Sequence, residues 1–397
     1  MKVLLINNFH YRRGGSEAVY FNMADMLTRA GHEVVFFSCA DDKNIEHGVN
    51  RHFVVANSAV NPVLGALRYI YNRKAARALK ALIEEQRPDI AHIHLLWGGL
   101  SSSIVKTLKQ CKVPIVHTAH DYRMVCPAYT FRNGKGQICE QCSDGKYIHC
   151  LANRCSKGKL LQSALMSFEA YFRRAIGAVE DIDGFVFVSR FSYEQHLRAI
   201  PALKHKLCIV AHNAVEAPVV DAQQGDYYLF FGRLSHEKGL RTLIDAFTVR
   251  ADLRLKIVGN GDMEAELRAA ITTPNIEMCG YMTGTALHRM VAGAKAIVVP
   301  SEWYENNPMT IIEAAAMGTP AIGARIGGIP EIIIEGKTGY LFTPKSATEL
   351  AAAVAKVESL STEQYREIRE RCKAFAAEAF DTEQLKEKIL KLYNSLL

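Results

Sequence analysis

Several things are missing from this sequence. No run of about 18 apolar residues occurs, so no segment reads as a bilayer-crossing helix. Neither sign of charge dominates: 48 basic against 41 acidic residues leave a net +7. That modest excess suits an anionic small ligand or anionic lipid, and no nucleic-acid partner is expected. The G-x-G-x-x-G pattern is absent, which removes the dinucleotide fingerprint. There is no internal repeat and no low-complexity tract. The first residues, Met1–Asn8, lack a small-residue cleavage site and read as a buried strand rather than a leader. A cytoplasmic protein is expected.

What is present is alternation. Eleven apolar, strand-like runs are separated by helical patterns, six before residue 213 and five after 226. This is the pattern of parallel sheets wrapped by helices, in two successive doubly wound α/β units. Between them, Asn213–Asp226 turns polar and loses periodicity, as a linker does. The expected organisation is an N-terminal unit over 1–215, a second unit over 216–378 and a closing helix over 379–397. Ligands of such sheets bind at the carboxyl edges of the strands, so loops that follow strands carry the search for chemistry.

Glu305 and Glu313 stand out. The run Ala296–Pro300 reads as a buried strand, and a helix follows with Asn307 as N-cap, Pro308 at its first position and Gly318 past its end. A helix start after a parallel strand attracts phosphate. Carboxylates on either side would instead accept hydrogen bonds from hydroxyls: one acid for a sugar, one for a ribose. In Gly232-Arg233-Leu-Ser-His-Glu-Lys238-Gly239, two cations flank another post-strand loop and suit a pyrophosphate, Arg233 as a planar fork and Lys238 as a point charge. Gly14-Gly15-Ser16 joins the first strand to the first helix, with Ser16 as its cap and bare backbone at Gly15 for a ligand. His120 and Asp121 follow a strand end, where they could meet the transferred sugar or an acceptor hydroxyl. Gly259-Asn260-Gly261 could hold a nucleobase or be a simple turn. Asp181-x-Asp183 has the form of a metal-binding pair, but it precedes a strand and reads as a surface turn.

Together these residues resemble the retaining glycosyltransferases of family 4, with the GT-B fold of two Rossmann-like doubly wound domains facing across a cleft. The resemblance is carried by Glu305-x7-Glu313, Gly232-Arg233-x4-Lys238, Gly14-Gly15, and Gly327-Gly328-Ile-Pro330-Glu331 before Gly336-Lys-Thr-Gly339. It implies that Arg233 and Lys238 bind a donor diphosphate and Glu313 the ribose. It further implies that Glu305 and His120 work at the donor sugar, with Gly15 and Gly261 among the donor contacts. It implies a UDP-sugar, or second a GDP-sugar, and a hexose transferred with retention and without a catalytic metal or cofactor. The acceptor implied is lipid-linked or a polysaccharide, as in bacterial surface-polysaccharide assembly. Where relatives carry Gly-Phe-Gly, this chain has Asn306-Asn307-Pro308, so Asn306 and Asn307 are expected to replace backbone donors. A GT-B sugar-nucleotide epimerase, a phosphorylase and a non-catalytic sugar-nucleotide-binding protein remain as alternatives.

Two features lie outside that scheme. Cys126, Cys139, Cys142, Cys150 and Cys155 crowd one insertion over 126–155, where four of the five are expected to hold a structural zinc, with free thiols as the alternative. Residues 61–85 and 160–176 mix cations with large apolar side chains. They are expected to lie on an anionic membrane, at its inner face, as basic amphipathic helices do, unless they are ordinary packed helices.

Overall fold

The structure is a computed structural model describing residues 1–45 and 52–397. By contacts it divides into two units, Met1–Ala211 with Glu383–Leu397, and His212–Thr382.

In unit 1 the strands β1 (Lys2–Asn7), β2 (Glu33–Phe37), β5 (Ile90–Leu95), β6 (Ile115–Ala119), β7 (Gly184–Phe187) and β8 (Leu207–Val210) form one parallel sheet, ordered β2-β1-β5-β6-β7-β8. A two-stranded ladder, β3 (Cys39–Ala40) with β4 (Val54–Val55), stands beside it. β1, β5, β6 and β7 are covered on both faces, which is why they read as continuous apolar runs rather than alternations. The helices are α1 (Gly15–Arg29), α2 (Pro62–Ile70), α3 (Arg73–Gln86), α4 (Ser103–Gln110), α5 (Ile148–Ala152), α6 (Leu160–Ala175) and α7 (Arg190–Ala199).

Unit 2 repeats the plan. Its sheet is ordered β11-β10-β9-β12-β13-β14, from β9 (Tyr228–Phe231), β10 (Leu255–Val258), β11 (Ile276–Gly280), β12 (Ala296–Val299), β13 (Ala321–Ala324) and β14 (Gly339–Phe342). Around it lie α8 (Leu240–Val249), α9 (Glu264–Ala270), α10 (Gly284–Gly293), α11 (Met309–Ala316), α12 (Ile329–Ile332), α13 (Ala347–Glu358) and α14 (Thr362–Ala379). The last helix, α15 (Thr382–Asn394), returns to unit 1, where Ile389, Leu392 and Tyr393 join the core formed by Val3, Leu5, Tyr20 and Val186. Strand order reverses between β1 and β5 in unit 1 and between β9 and β12 in unit 2. The strand ends beside those two points are where open α/β sheets take ligands.

Three local expectations shift. The helix after β12 begins at Met309, with Pro308 rather than Asn307 at its N-cap. Helix α1 is capped by Gly14, with no side-chain cap, so Ser16 does not cap it. The strand β14 was not foreseen.

Candidate active site

In unit 2 the loops at the β9/β12 reversal carry the predicted anions and cations. The loop after β9 runs from Gly232 to α8 and folds tightly over the end of β12. A side chain at Gly239, which has φ +68°, would place its Cβ 1.9 Å from the Pro300 carbonyl oxygen. That close approach brings Lys238 to the loop after β12. Its Nζ donates to Glu305 Oε1 at 2.7 Å, and Ser301 Oγ donates to the same oxygen at 2.7 Å. Glu305 is buried. Burial by itself raises a carboxyl, but the Lys238 charge and the hydrogen bonds from Lys238 and Ser301 hold Glu305 below its ordinary value. The Lys238 ammonium also lies 5.7 Å from the Trp303 ring centre. Arg233 remains exposed, its guanidinium 3.3 Å from Glu237.

Glu313 sits half-buried on α11. Burial, with no cation to offset it, pushes its carboxyl up to about 7. Gly261 has a packing role: a Cβ there would meet the Leu234 carbonyl oxygen at 2.2 Å, so it lets β10's loop close on β9's.

Asn307 has partners within the chain. Its Oδ1 accepts from the Asn213 backbone N–H at 2.7 Å, its carbonyl accepts from Asn213 Nδ2 at 3.1 Å, and its Nδ2 lies 3.2 Å from His212 Nδ1. Both ends of the amide thus meet the segment that opens unit 2, so Asn307 ties that segment to the loop after β12. Asn306, beside it, is buried.

In unit 1, His120 directly follows β6. Its Nε2 lies 2.8 Å from His94 Nδ1, with the rings stacked at 5.0 Å and 17°. His94 stacks in turn on His92, whose Nδ1 meets the Tyr393 hydroxyl and whose Nε2 meets Thr118 Oγ1, each at 2.6 Å. Burial lowers all three imidazoles, His120 to about 3, so the stack is neutral at physiological pH. It can exchange hydrogen bonds but carries no charge. His94 escaped the sequence reading, although two histidines alternating inside a buried strand were its visible signal. Gly15 opens α1 at the end of β1's loop. Asp121, half-buried and pushed up to about 6 by desolvation, accepts from the Arg123 N–H at 2.8 Å.

The acidic pair 181/183 is a structural turn. Asp181 takes Lys106 at 2.5 Å, and Asp183 takes Lys109 at 3.3 Å and the Ile115 N–H at 3.0 Å. The expected structural zinc of the cysteine insertion stays a proposal. All five thiols are free, and among the described residues no group of three or more His, Cys, Asp or Glu is placed to hold a metal ion. Cys142 and Cys150 pack with Tyr147 and Ala170, Cys155 against them. Burial raises Cys126 to about 11 and Cys142 to about 12.

The basic, apolar helices also differ in part. Val63 and Leu67 of α2 and Leu161 and Phe168 of α6 are exposed, but Arg68 and Arg173 point inward and are buried. Among the described residues no helix is long and apolar enough to cross a membrane.

Comparison with known proteins converges on one assignment. Residues 13–217 match the family model described as Glycosyltransferase Family 4, and residues 216–393 match Glycosyl transferases group 1. A 42.6 kDa protein of the cps region in Klebsiella pneumoniae is 25% identical over 357 residues, 84% of this chain and 87% of that one. Sucrose-phosphate synthase from Thermosynechococcus elongatus superposes with a TM-score of 0.72 at 19% identity, covering 100% of this chain and 98% of that one. Anabaena HepE in complex with UDP and glucose gives 0.70 at 19% identity, with 100% of each chain covered. The first model spans more than half of the residues and the second most of the others, so the chain belongs to the glycosyltransferase family that they describe and is a GT-B glycosyltransferase.

Proposed function

We propose that this chain transfers a hexose-type sugar, with retention and without a catalytic metal, from a UDP-sugar to a saccharide or lipid-linked acceptor of surface-polysaccharide assembly. A GDP-sugar is the second donor. The observation that carries the reading is the Lys238–Glu305 pair at the strand reversal, with exposed Arg233 on the same loop. A nucleoside diphosphate offers Lys238 a second anion, and the two cations would stabilise the charge that develops as the diphosphate leaves. Glu305, held ionised, would accept from donor-sugar hydroxyls, and Glu313 from the ribose. Neutral His120 would hydrogen-bond the sugar near its reacting carbon without competing as an acid. In the step itself the anomeric carbon's bond to the diphosphate oxygen breaks and its bond to the acceptor oxygen forms. The acceptor's proton passes to the leaving phosphate. That HepE was crystallised with UDP and glucose, and that the Klebsiella relative comes from a cps region, supports the donor and acceptor classes. Contact with an anionic membrane through the exposed apolar residues of α2 and α6 is part of the same proposal.

Thermal unfolding with UDP, GDP and ADP, each with and without EDTA, tests it. A nucleotide at 100 times its dissociation constant adds ~2.7 kcal/mol of stability. A UDP-specific shift that survives EDTA is expected. No shift with any of the three would remove the donor site.

A further inference from the structure

A second cluster of buried polar groups lies in unit 1, at the carboxyl ends of the neighbouring strands β5 and β6. Trp97 stands two residues beyond β5, and Arg123 four beyond β6. Arg123 is buried, yet neither its Nε nor its Nη2 has a hydrogen-bond partner. These two N–H groups form the side-on edge of the guanidinium, the edge that grips a carboxylate or phosphate through two parallel bonds. The carboxylate nearest to it is already committed. Glu169 takes Arg173 Nη1 through both oxygens, at 3.2 and 3.0 Å, and its Oε2 stands 3.9 Å from Arg123 Nη2, beyond hydrogen-bond reach. Arg173 Nη2 donates to the Arg123 carbonyl at 2.9 Å and so fixes the backbone beneath.

Around this edge the other unpartnered atoms are also donors. The Arg123 guanidinium lies 5.2 Å from the Tyr69 ring centre, and the Tyr69 hydroxyl is buried without a partner. Arg173 lies 4.7 Å from the Trp97 ring centre, and the Trp97 indole N–H is likewise buried without a partner. Buried polar groups are nearly always satisfied, and several unsatisfied donors in one linked cluster suit a guest rich in acceptors. The Arg123 guanidinium has the Glu169 carboxylate at 3.9 Å as its counter-charge but no hydrogen bond from it, so an anion on the open edge would supply the bonds it lacks. Asp121 accepts only from the backbone N–H of Arg123 and leaves the guanidinium edge open.

We propose that Arg123, Trp97 and Tyr69 form an oxyanion anchor in unit 1 that binds a phosphate or carboxylate group of the acceptor. Assigning the anion to the acceptor rests on the transferase reading, while the anion site itself does not. A glycosyltransferase that extends a phosphate-bearing or uronic-acid-bearing chain would use this anchor to select its acceptor.

The test keeps the donor site filled. The protein is saturated with UDP, which also blocks the Arg233 and Lys238 cations, and titrated at constant ionic strength with inorganic phosphate or with glucuronate. One anion per chain should bind, and the stronger of the two names the group. Arg123→Gln should weaken it about tenfold or more, and Trp97→Phe and Tyr69→Phe, which remove single donors, about fivefold each. UDP affinity should not change in the three variants, which confirms that they are folded. If Arg123→Gln fails to fold, the two conservative variants decide alone. Absence of anion binding to the UDP-saturated protein, or equal binding in the folded variants, overturns the anchor. Failure of UDP itself to bind would instead strike the donor reading, and the anion titration would still be read by itself.

Discussion

Lys238 Nζ and Ser301 Oγ both donate to one oxygen of Glu305, each at 2.7 Å, so the residue that carries the donor reading is bound by its own neighbours before any ligand arrives. Lys238→Ala should cost about 2–3 kcal/mol in urea unfolding, because it leaves a buried carboxylate without its cation. Adding Glu305→Gln to that variant should recover part of the loss, while UDP affinity stays at least about tenfold down. A pair worth nothing in this double-mutant cycle would mean that the contact is incidental.

The pair also sets a pH edge. Glu305 is held below its ordinary value in the fold, so its stabilisation is complete at neutral pH. It is lost as pH falls past the ordinary glutamate value and through the lower folded one. Glu305→Gln should flatten that part of the stability profile.

Glu313 works in the opposite sense. Its folded value of about 7 lies above its unfolded one, so between those values the folded chain binds more protons. Stability of the ligand-free protein should therefore fall as pH rises from about 4.3 towards about 7. UDP affinity should rise over the upper part of that range as the carboxylate appears, and Glu313→Gln should remove both slopes. An unchanged affinity profile in Glu313→Gln would exclude this residue from the ribose site.

His94 is a positioning residue for His120. His94→Phe keeps the stack and removes the hydrogen bond. It should lower kcat by up to about a hundredfold with UDP affinity unchanged. His94→Gln, which restores a polar partner, should recover part of the rate. Equal rates in the two variants would reduce His94 to packing.

Legibility followed burial geometry. Every apolar run named as a strand is one, since parallel strands covered on both faces declare themselves by composition. β14 was hidden because Gly336-Lys-Thr-Gly339 reads as a turn and leaves only Gly339–Phe342 for the strand. Charges misled where their partners are remote. Arg173 looks solvent-facing on a helical projection, but Glu169 one turn earlier and the Arg123 carbonyl 50 residues away take it inside. The contacts of Asn307 were hidden for the same reason, its partners Asn213 and His212 lying 94 and 95 residues upstream. Post-strand loops could be found from pattern alone. Which of their side chains reach a ligand and which hold the chain depended on contacts between distant segments.

Tyr393, on α15, closes its hydrogen bond to His92 in the middle of the unit 1 sheet. During synthesis the ribosome must therefore finish all of unit 2 before that bond can form, so unit 2 can fold while unit 1 still lacks part of its core. A chain released before α15 emerges would carry a finished second unit and a histidine stack with its base open, and quality control in the cell would meet it as a half-closed protein.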